Sequence, residues 1–234
     1  GFEDVLWQAA ATTTGVCFTY RSVDGEQGYP GDLDVSVTLS LMGDSLGYHY
    51  QAISNRDTII NLTNHTYFNL DGAATGDGDI RNHELQIAAG AYLPIDTEVL
   101  PTGEIKAVAD TAFDFSQSAN IGSRLARGDE QLSLGLGFDH CFVLNQITNS
   151  DDDGALAQSV ASLYSPDSGI VLEIFTSEPG LQFYTGNYLP TPHAGLCLET
   201  QHFPDSPNMP HFPSTRLAAG AVFDSTSIYR FTAK

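Results

Sequence analysis

The sequence predicts an all-β protein built as a large antiparallel β-sandwich. Many short apolar segments are separated by Gly, Pro, Asp and Ser residues typical of turns. Several of these segments alternate apolar and polar side chains with a period of two, as half-buried strands do. Helical periodicity is scarce. Because strand follows strand without intervening helices, antiparallel pairing is favoured over a parallel sheet.

Six segments show the strand pattern most clearly. Val35, Val37, Leu39 and Leu41 alternate with small polar residues, so we expect all four on the buried face of one strand. The others are residues 83–87, 141–144, 160–164, 170–175 and 181–185. Residues 121–127 predict one or two helical turns. No internal repeat or linker divides the sequence, so we expect residues 1–234 to form one domain.

Charge and hydropathy limit the partners. The chain has 29 acidic and nine basic residues, a net charge of −20. Such a surface repels nucleic acid and anionic membranes, and no apolar run approaches the length of a bilayer-spanning helix. We therefore expect neither nucleic acid nor a membrane as a partner. The acidic run Asp151–Asp153 is predicted to be a solvated loop.

The cysteines and histidines predict no metal and no cofactor. Cys17, Cys141 and Cys197 lie in apolar segments at irregular spacing, which indicates buried free thiols rather than disulfides or a zinc site. Free thiols favour a cytoplasmic location, with secretion as the alternative. The seven histidines show no close metal-ligand spacing, and a glycine-rich phosphate loop is missing from the sequence.

Residues 61–70 contain the most unusual polar pattern. One histidine, His65, lies among three asparagines, two threonines and a Tyr-Phe pair. This mixture predicts a short strand ending in a polar, aromatic-walled pocket, with His65 as its titratable group. The alternative interpretation is a structural histidine whose hydrogen bonds are satisfied by its neighbours.

Three other polar residues stand at or in predicted strands. Asp139 precedes the strand at 141–144 and could accept hydrogen bonds from ligand hydroxyls, or it could simply bond to turn amides. Gln182 lies beside aromatic residues, a pattern that suits sugar rings but also an ordinary aromatic strand. Glu199 follows Leu-Cys-Leu. If Glu199 is buried there, its pKa rises and it becomes a candidate general base; the alternative is an outward-facing Glu.

The order of these segments resembles the aldose 1-epimerase, or galactose mutarotase, family. The resemblance is carried by residues 64–70, 137–140, 179–187 and 198–205, with further similarity at 1–7 and 24–31. Several motifs in one order are more specific than any motif alone. The similarity extends over the whole chain.

The resemblance implies a galactose mutarotase-like sandwich that binds a small aldose, such as galactose or glucose, and needs no cofactor. By this resemblance Glu199 matches the general base, which removes the proton from the anomeric hydroxyl. His65 matches the general acid, which protonates the ring oxygen, while Asp139 and Gln182 match residues that hold sugar hydroxyls. Opening and reclosing the ring then interconverts the α and β anomers.

Family members also carry an N-terminal portion with an Asn-Arg pair and a second histidine. We therefore expect this chain to be the C-terminal portion of the family domain, truncated at its N-terminus. We expect a separate N-terminal fragment to complete it, and the chain alone to be weak or inactive. Three alternatives stay open. They are a non-catalytic sugar-binding module on the same scaffold, a hexose-phosphate epimerase, which would need clustered Arg and Lys, and a glycosidase using Asp139 and Glu199.

Overall fold

The computed structural model describes residues 1–72, 78–145, 156 and 158–234, and the acidic run Asp151–Asp153 lies outside them. The strands are β1 (Gln8–Ala11), β2 (Gly15–Ser22), β3 (Leu33–Met42), β4 (Ser45–Ser54), β5 (Thr58–Ile59), β6 (Tyr67–Phe68), β7 (Glu84–Ile87), β8 (Ala89–Tyr92), β9 (Lys106–Ala107), β10 (Ala119–Asn120), β11 (Asp139–Leu144), β12 (Ala161–Tyr164), β13 (Ile170–Thr176), β14 (Gly180–Tyr184), β15 (Leu196–Gln201), β16 (Arg216–Leu217) and β17 (Val222–Ala233). The helices are α1 (Ile121–Leu125) and α2 (Glu130–Leu134). Short 3₁₀ turns lie at Phe2–Asp4, Glu26–Gly28, Ile80–Asn82 and Ser206–Asn208.

The strands form two large sheets and one small pair. The larger sheet has nine strands in the order β1-β2-β3-β4-β17-β13-β12-β7-β10. The smaller has six in the order β6-β15-β14-β11-β8-β9, and β16 pairs with β5. The strand pairs within the described residues are antiparallel, as predicted.

The main core lies between these two sheets. Leu163 and Leu172 of the larger sheet and Leu181, Phe183 and Leu198 of the smaller one are essentially inaccessible to solvent and belong to one apolar cluster. Each such side chain contributes about 1.5–3 kcal/mol relative to exposure. Alternate residues of a strand face opposite sides, so packing these residues inward turns their immediate neighbours outward. This alternation places the polar residues discussed below.

Hydroxyl groups also join the two sheets. Ser227 of β17 lies 2.6 Å from the Thr200 hydroxyl of β15 and 2.9 Å from that of Thr176. The Tyr229 hydroxyl of β17 donates a 3.0 Å hydrogen bond to the Leu198 carbonyl. Because these groups are buried, breaking one bond would leave a polar atom unpaired, so the network fixes how the sheets face each other.

The predicted strands and helix largely agree with the structure. All six predicted segments overlap strands, namely β3, β7, β11, β12, β13 and β14, with ends that agree to within a residue or two, and α1 begins where the helical turns were expected. The prediction for Leu41 was wrong, because its side chain is 68% exposed. Leu41 pairs with Leu46 beside the β3–β4 turn, beyond the part of β3 that packs on the core. Helix α2 was not predicted.

No helix in the part of the chain that the structure describes is long and apolar enough to cross a membrane.

Candidate active site

Three neighbouring strands of the smaller sheet bring the predicted polar residues together. Gln182 of β14 pairs with Glu199 of β15, and Asp139 of β11 pairs with Tyr184, two residues beyond Gln182. This register puts Asp139, Gln182 and Glu199 on one face of the sheet, while Phe183 and its cross-strand partner Leu198 face the core. Three of the four predicted site residues thus share one surface because of strand pairing alone.

Asp139 and Gln182 form a direct pair. The Gln182 side-chain amide donates a 2.8 Å hydrogen bond to Oδ1 of Asp139. Oε1 of Gln182 is buried and accepts no hydrogen bond from the described protein atoms. Burial raises the pKa of Asp139, while the Gln182 bond and the nearby His65 act in the opposite direction. The pair offers a carboxylate and a free amide oxygen to a ligand rich in hydroxyls.

The start of β11 depends on Gly137. Its φ of +138° is strained for other residues, and a Cβ there would overlap the side chains of Asn187 and Thr185. Those two side chains bond to Phe138, whose amide donates to the Thr185 hydroxyl at 3.0 Å and whose carbonyl accepts from Asn187 at 3.0 Å. These contacts hold Gly137 and Phe138 in place and thereby fix the position of Asp139, the next residue.

Glu199 is a buried carboxylate with an elevated pKa. Glu199 is 7% exposed. Burial raises its pKa to about 7; His65 opposes this rise, and the Asp139 carboxylate adds to it. Oε1 of Glu199 lies 3.8 Å from Nε2 of His65. The interpretation of Glu199 as an outward-facing surface residue is therefore wrong.

His65 lies in irregular chain rather than in a strand. The predicted short strand is limited to Tyr67–Phe68, and residues 61–66 have no regular secondary structure. Asn64 holds this segment, because its amide donates to the hydroxyls of Tyr50 at 3.3 Å and Tyr229 at 3.2 Å, both on the larger sheet. The imidazole of His65 is half exposed and so can reach a ligand.

Upstream, Asn61 adds a second anchor. Its side-chain amide donates to the His202 carbonyl at 3.0 Å, and its side-chain oxygen accepts from the His202 amide at 3.0 Å. The roles of Asn61 and Asn64 were not predicted, since asparagine is so frequent in turns that its presence indicates little by itself.

Aromatic rings surround His65, as the composition of residues 61–70 predicted. The ring centroids of Tyr67 and Tyr184 lie 4.9 and 6.0 Å from that of the imidazole. Tyr188 continues the wall, with its ring 6.4 Å from Tyr184 and stacked on it. Tyrosine faces flanked by polar groups suit a sugar ring, which has apolar C–H faces and hydroxyl edges.

Cys197 is a site residue that was not predicted. Its sulfur lies 3.3 Å from Nδ1 of His65, and its side chain is fully buried. Cys141 is also buried, as expected, but the prediction for Cys17 was wrong, because Cys17 is only partly covered in β2 near the end of the larger sheet. The three free thiols agree with the prediction of no disulfide.

Only one group of potential metal ligands occurs in the described ranges, and it lies in this site. One donor atom each from His65, Cys197 and Glu199 lies within 4.8 Å of the others. A nitrogen, sulfur and oxygen set could in principle bind a zinc-like cation. His65 and Cys197 are 132 positions apart, so the local spacing of histidines did not reveal the cluster.

A second contact between a histidine and a carboxylate lies beside Asn61, at the start of the segment that carries His65. Nδ1 of His202 is 2.6 Å from Oε2 of Glu178, whose side chain is almost completely buried. Neither residue was singled out from the sequence, although His202 falls in the 198–205 segment that carries the family resemblance.

Two large clefts lie away from these side chains. One, of about 860 Å³, is lined by Phe2, Leu33, Asn61 and neighbouring residues. The other, of about 740 Å³, lies against β2, β3 and β4 of the larger sheet. Neither is lined by His65, Asp139, Gln182 or Glu199, which occupy the open face of the smaller sheet instead.

The chain is similar to known proteins over nearly its whole length. A family model described as aldose 1-epimerase matches residues 1–230. Galactose mutarotase of Mus musculus is 42% identical over 243 aligned residues, which cover 99% of this chain and 67% of that protein. An aldose 1-epimerase of Haemophilus influenzae is 43% identical over 224 residues, covering 91% of this chain and 63% of its own length.

Solved structures show the same fold. A crystal structure of an aldose epimerase homologue from C. elegans superposes with a TM-score of 0.85 at 28% identity, covering 97% of this chain and 68% of that one. A galactose 1-epimerase from Lactobacillus acidophilus gives a TM-score of 0.80 at 29% identity. The predicted galactose mutarotase-like β-sandwich is thereby confirmed. By sequence and by fold, this chain belongs to the aldose 1-epimerase family.

Proposed function

We propose that Glu199 and His65 are the base and the acid with which this chain, an aldose 1-epimerase, interconverts the α and β anomers of aldoses such as galactose and glucose. The observation that carries the proposal is the 3.8 Å approach of Nε2 of His65 to Oε1 of Glu199, in a site that raises the pKa of Glu199 to about 7. A base with a pKa near the working pH is ionised often enough to act and basic enough to take a proton.

The reaction needs one proton removed and one delivered. Glu199 takes the proton of the anomeric hydroxyl, and the O–H electron pair forms the C1 carbonyl. The bond between C1 and the ring oxygen breaks, and its electron pair accepts the proton of His65 Nε2. Rotation about C1–C2 exposes the other face of the aldehyde, and the reverse transfers close the ring. Because both reacting oxygens are attached to one carbon, an acid and a base close together suit this reaction.

Binding is assigned to the remaining polar and aromatic groups. Asp139 accepts hydrogen bonds from sugar hydroxyls, and Gln182, which already donates to Asp139, offers its free Oε1 as a further acceptor. Tyr67 and Tyr184 flank His65 and provide apolar faces for the ring carbons. These groups hold an uncharged ligand without a metal or a cofactor.

Two alternatives fit less well. A non-catalytic sugar-binding module would need neither an acid nor a base, whereas here the two lie side by side. A hexose-phosphate epimerase would need cations for the phosphate. The seven arginines bond instead to carboxylates or carbonyls elsewhere in the described chain.

Glu199→Gln tests the proposal directly. Polarimetry of freshly dissolved α-D-galactose or α-D-glucose should show kcat reduced by about 10²–10⁴-fold, while sugar binding measured by calorimetry is partly retained. Glu98→Gln, a substitution of an exposed loop carboxylate, is the control and should leave kcat unchanged. Full turnover by Glu199→Gln would show that the base is wrongly assigned.

We also propose that a segment outside these 234 residues completes the sugar site. The chain spans about two thirds of the Mus musculus relative it matches, and the resemblance implies an Asn-Arg pair and a second histidine beyond the residues present here. Adding such a segment in trans should raise kcat/KM of the chain; an unchanged value would contradict the idea. The three unpaired thiols support a cytoplasmic location.

A further inference from the structure

The thiol of Cys197 lies within hydrogen-bonding distance of the imidazole of His65. Cys197 pairs with Tyr67 on one side and with Tyr184 on the other, so its side chain stands between the two rings that flank His65. Its sulfur is 3.3 Å from Nδ1 of His65, on the opposite side of the ring from the nitrogen that approaches Glu199. No other hydrogen-bond partner of Nδ1 occurs among the residues described.

The protons that the imidazole must carry as an acid decide whether Nδ1 or the sulfur donates in this contact. The imidazolium of His65 carries a proton on each nitrogen, and delivering the Nε2 proton to the ring oxygen leaves a neutral imidazole with its proton on Nδ1. If the thiol instead donated to Nδ1, the imidazole could release the Nε2 proton only by becoming an anion. The acid therefore works only if Nδ1 keeps its proton and the sulfur accepts it.

The environment of Cys197 agrees with this polarity. Burial raises the pKa of the Cys197 thiol, and the carboxylates of Glu199 and Asp139 raise it further. The thiol accordingly stays neutral and does not take the proton from Nδ1. A neutral sulfur is a weak acceptor, so it orients the ring without stabilising the imidazolium as strongly as a carboxylate would.

We propose that Cys197 is the positioning residue of the general acid: its sulfur accepts a hydrogen bond from Nδ1–H of His65 and so directs Nε2 toward the reacting sugar. Cys197 thus orients the imidazole, and only His65 exchanges a proton with the substrate. This inference rests on the proposed role of His65. Cys197 itself touches no reacting atom.

The first test observes the histidine itself and needs no activity. In the ¹⁵N-labelled chain, a long-range ¹H–¹⁵N spectrum at a pH where His65 is neutral should show Nδ1 protonated and Nε2 unprotonated. The His65→Gln variant identifies the signal. The opposite tautomer, with the proton on Nε2, would overturn the proposal while leaving the catalytic assignment of Glu199 intact.

The second test compares two buried cysteines of the smaller sheet. Cys197→Ala should lower kcat about threefold to tenfold, the size expected for one lost hydrogen bond, with KM little changed. Cys197→Ser should restore part of kcat, since a hydroxyl also accepts. Cys141→Ala is the matched control, because Cys141 is equally buried but bonds to the carbonyl of Phe142 and not to His65.

These experiments distinguish a failure of the positioning role of Cys197 from a failure of the proposed function. An unchanged kcat in folded Cys197→Ala would overturn the positioning role. Equal losses in Cys197→Ala and Cys141→Ala would show a packing effect and would also overturn it. Should Cys197→Ala fail to fold, the tautomer measured in the parent chain decides the question. If Glu199→Gln keeps full activity, the proposed function fails instead, whatever tautomer His65 has.

Discussion

Nε2 of His65 and Oε1 of Glu199 lie 3.8 Å apart although 134 positions separate them in the chain. Different parts of the sandwich hold the two side chains. Strand register in the smaller sheet places Glu199, whereas Asn64 ties the segment of His65 to Tyr50 and Tyr229 of the larger sheet. The distance between acid and base therefore depends on how the two sheets are packed.

The pH dependence of kcat/KM should follow the ionisation of Glu199. The base acts only when ionised, and its pKa is about 7, so kcat/KM should fall below about pH 7 as the carboxylate is protonated. The Asp139 carboxylate helps to raise that pKa, so Asp139→Asn should move the acid limb to lower pH even though sugar binding weakens. Asp44→Asn, in an exposed turn, should not move it. Polarimetry from pH 5 to pH 9 measures the limb, and an unmoved limb in Asp139→Asn would contradict the assignment.

Glu199→Gln should make the protein more stable at alkaline pH while removing its activity. Because the pKa of Glu199 rises from 4.5 to about 7 on folding, the native state binds the proton more tightly, and the free energy of unfolding falls as pH rises through this window. The loss above pH 7 is about 1–3 kcal/mol. A neutral amide avoids it. Urea unfolding of parent and variant at pH 5 and pH 8 should therefore show a larger gain in stability for the variant at pH 8 than at pH 5; equal pH slopes would refute the prediction.

Asn64→Ala should impair both stability and turnover. The substitution removes hydrogen bonds to the hydroxyls of Tyr50 and Tyr229, and burial makes their loss worth about 1–3 kcal/mol of unfolding free energy. With its anchor gone, the segment of His65 gains freedom, so kcat should fall more than KM rises. Asn82→Ala is the control, because Asn82 makes an exposed bond to Asp167. Wild-type kcat in Asn64→Ala would show that the anchor does not position the acid.

The buried Glu178 carboxylate should depend on its contact with His202 for its contribution to stability. His202→Ala leaves the almost completely buried Glu178 carboxylate without its 2.6 Å partner, so unfolding free energy should fall by about 3 kcal/mol. Adding Glu178→Gln to His202→Ala should recover part of that loss, because the uncompensated charge disappears. Asp24→Asn, which breaks the exposed pair with Arg56, should cost less than about 1 kcal/mol. Thermal or urea unfolding distinguishes these cases, and a double variant less stable than His202→Ala would contradict the prediction.

Apolar periodicity predicted strands whose inward residues are mostly apolar. Strand β13 is an example, with Leu172 and Ile174 both facing the core. Strand β17 was not predicted, since two of its inward positions are Ser225 and Ser227, and Ser227 bonds to the Thr200 hydroxyl of the opposite sheet and to the Thr176 hydroxyl of its own. A strand that uses hydroxyl bonds between sheets lacks the apolar period by which strands are recognised.

The residues of the site were predicted, but the contacts that hold them in place were not. His65, Asp139, Gln182 and Glu199 were each identified, and the fold gathers them on one surface. Their roles and the assignment of residues 1–234 to one domain stay predictions. The contact of Cys197 with His65 could not be predicted, because it arises from the pairing of β6 with β15 across more than a hundred residues.

The tie between Asn64 and the larger sheet makes catalysis sensitive to substitutions far from the sugar. Shrinking a core side chain such as Leu172 lets the sheets approach or tilt, and a shift of a few tenths of an ångström at Tyr229 passes through Asn64 to His65 while Glu199 stays in its own sheet. Variants selected for heat resistance by repacking this core are therefore expected to change turnover as well. Natural drift in the core would require compensating changes at the tyrosines that hold Asn64.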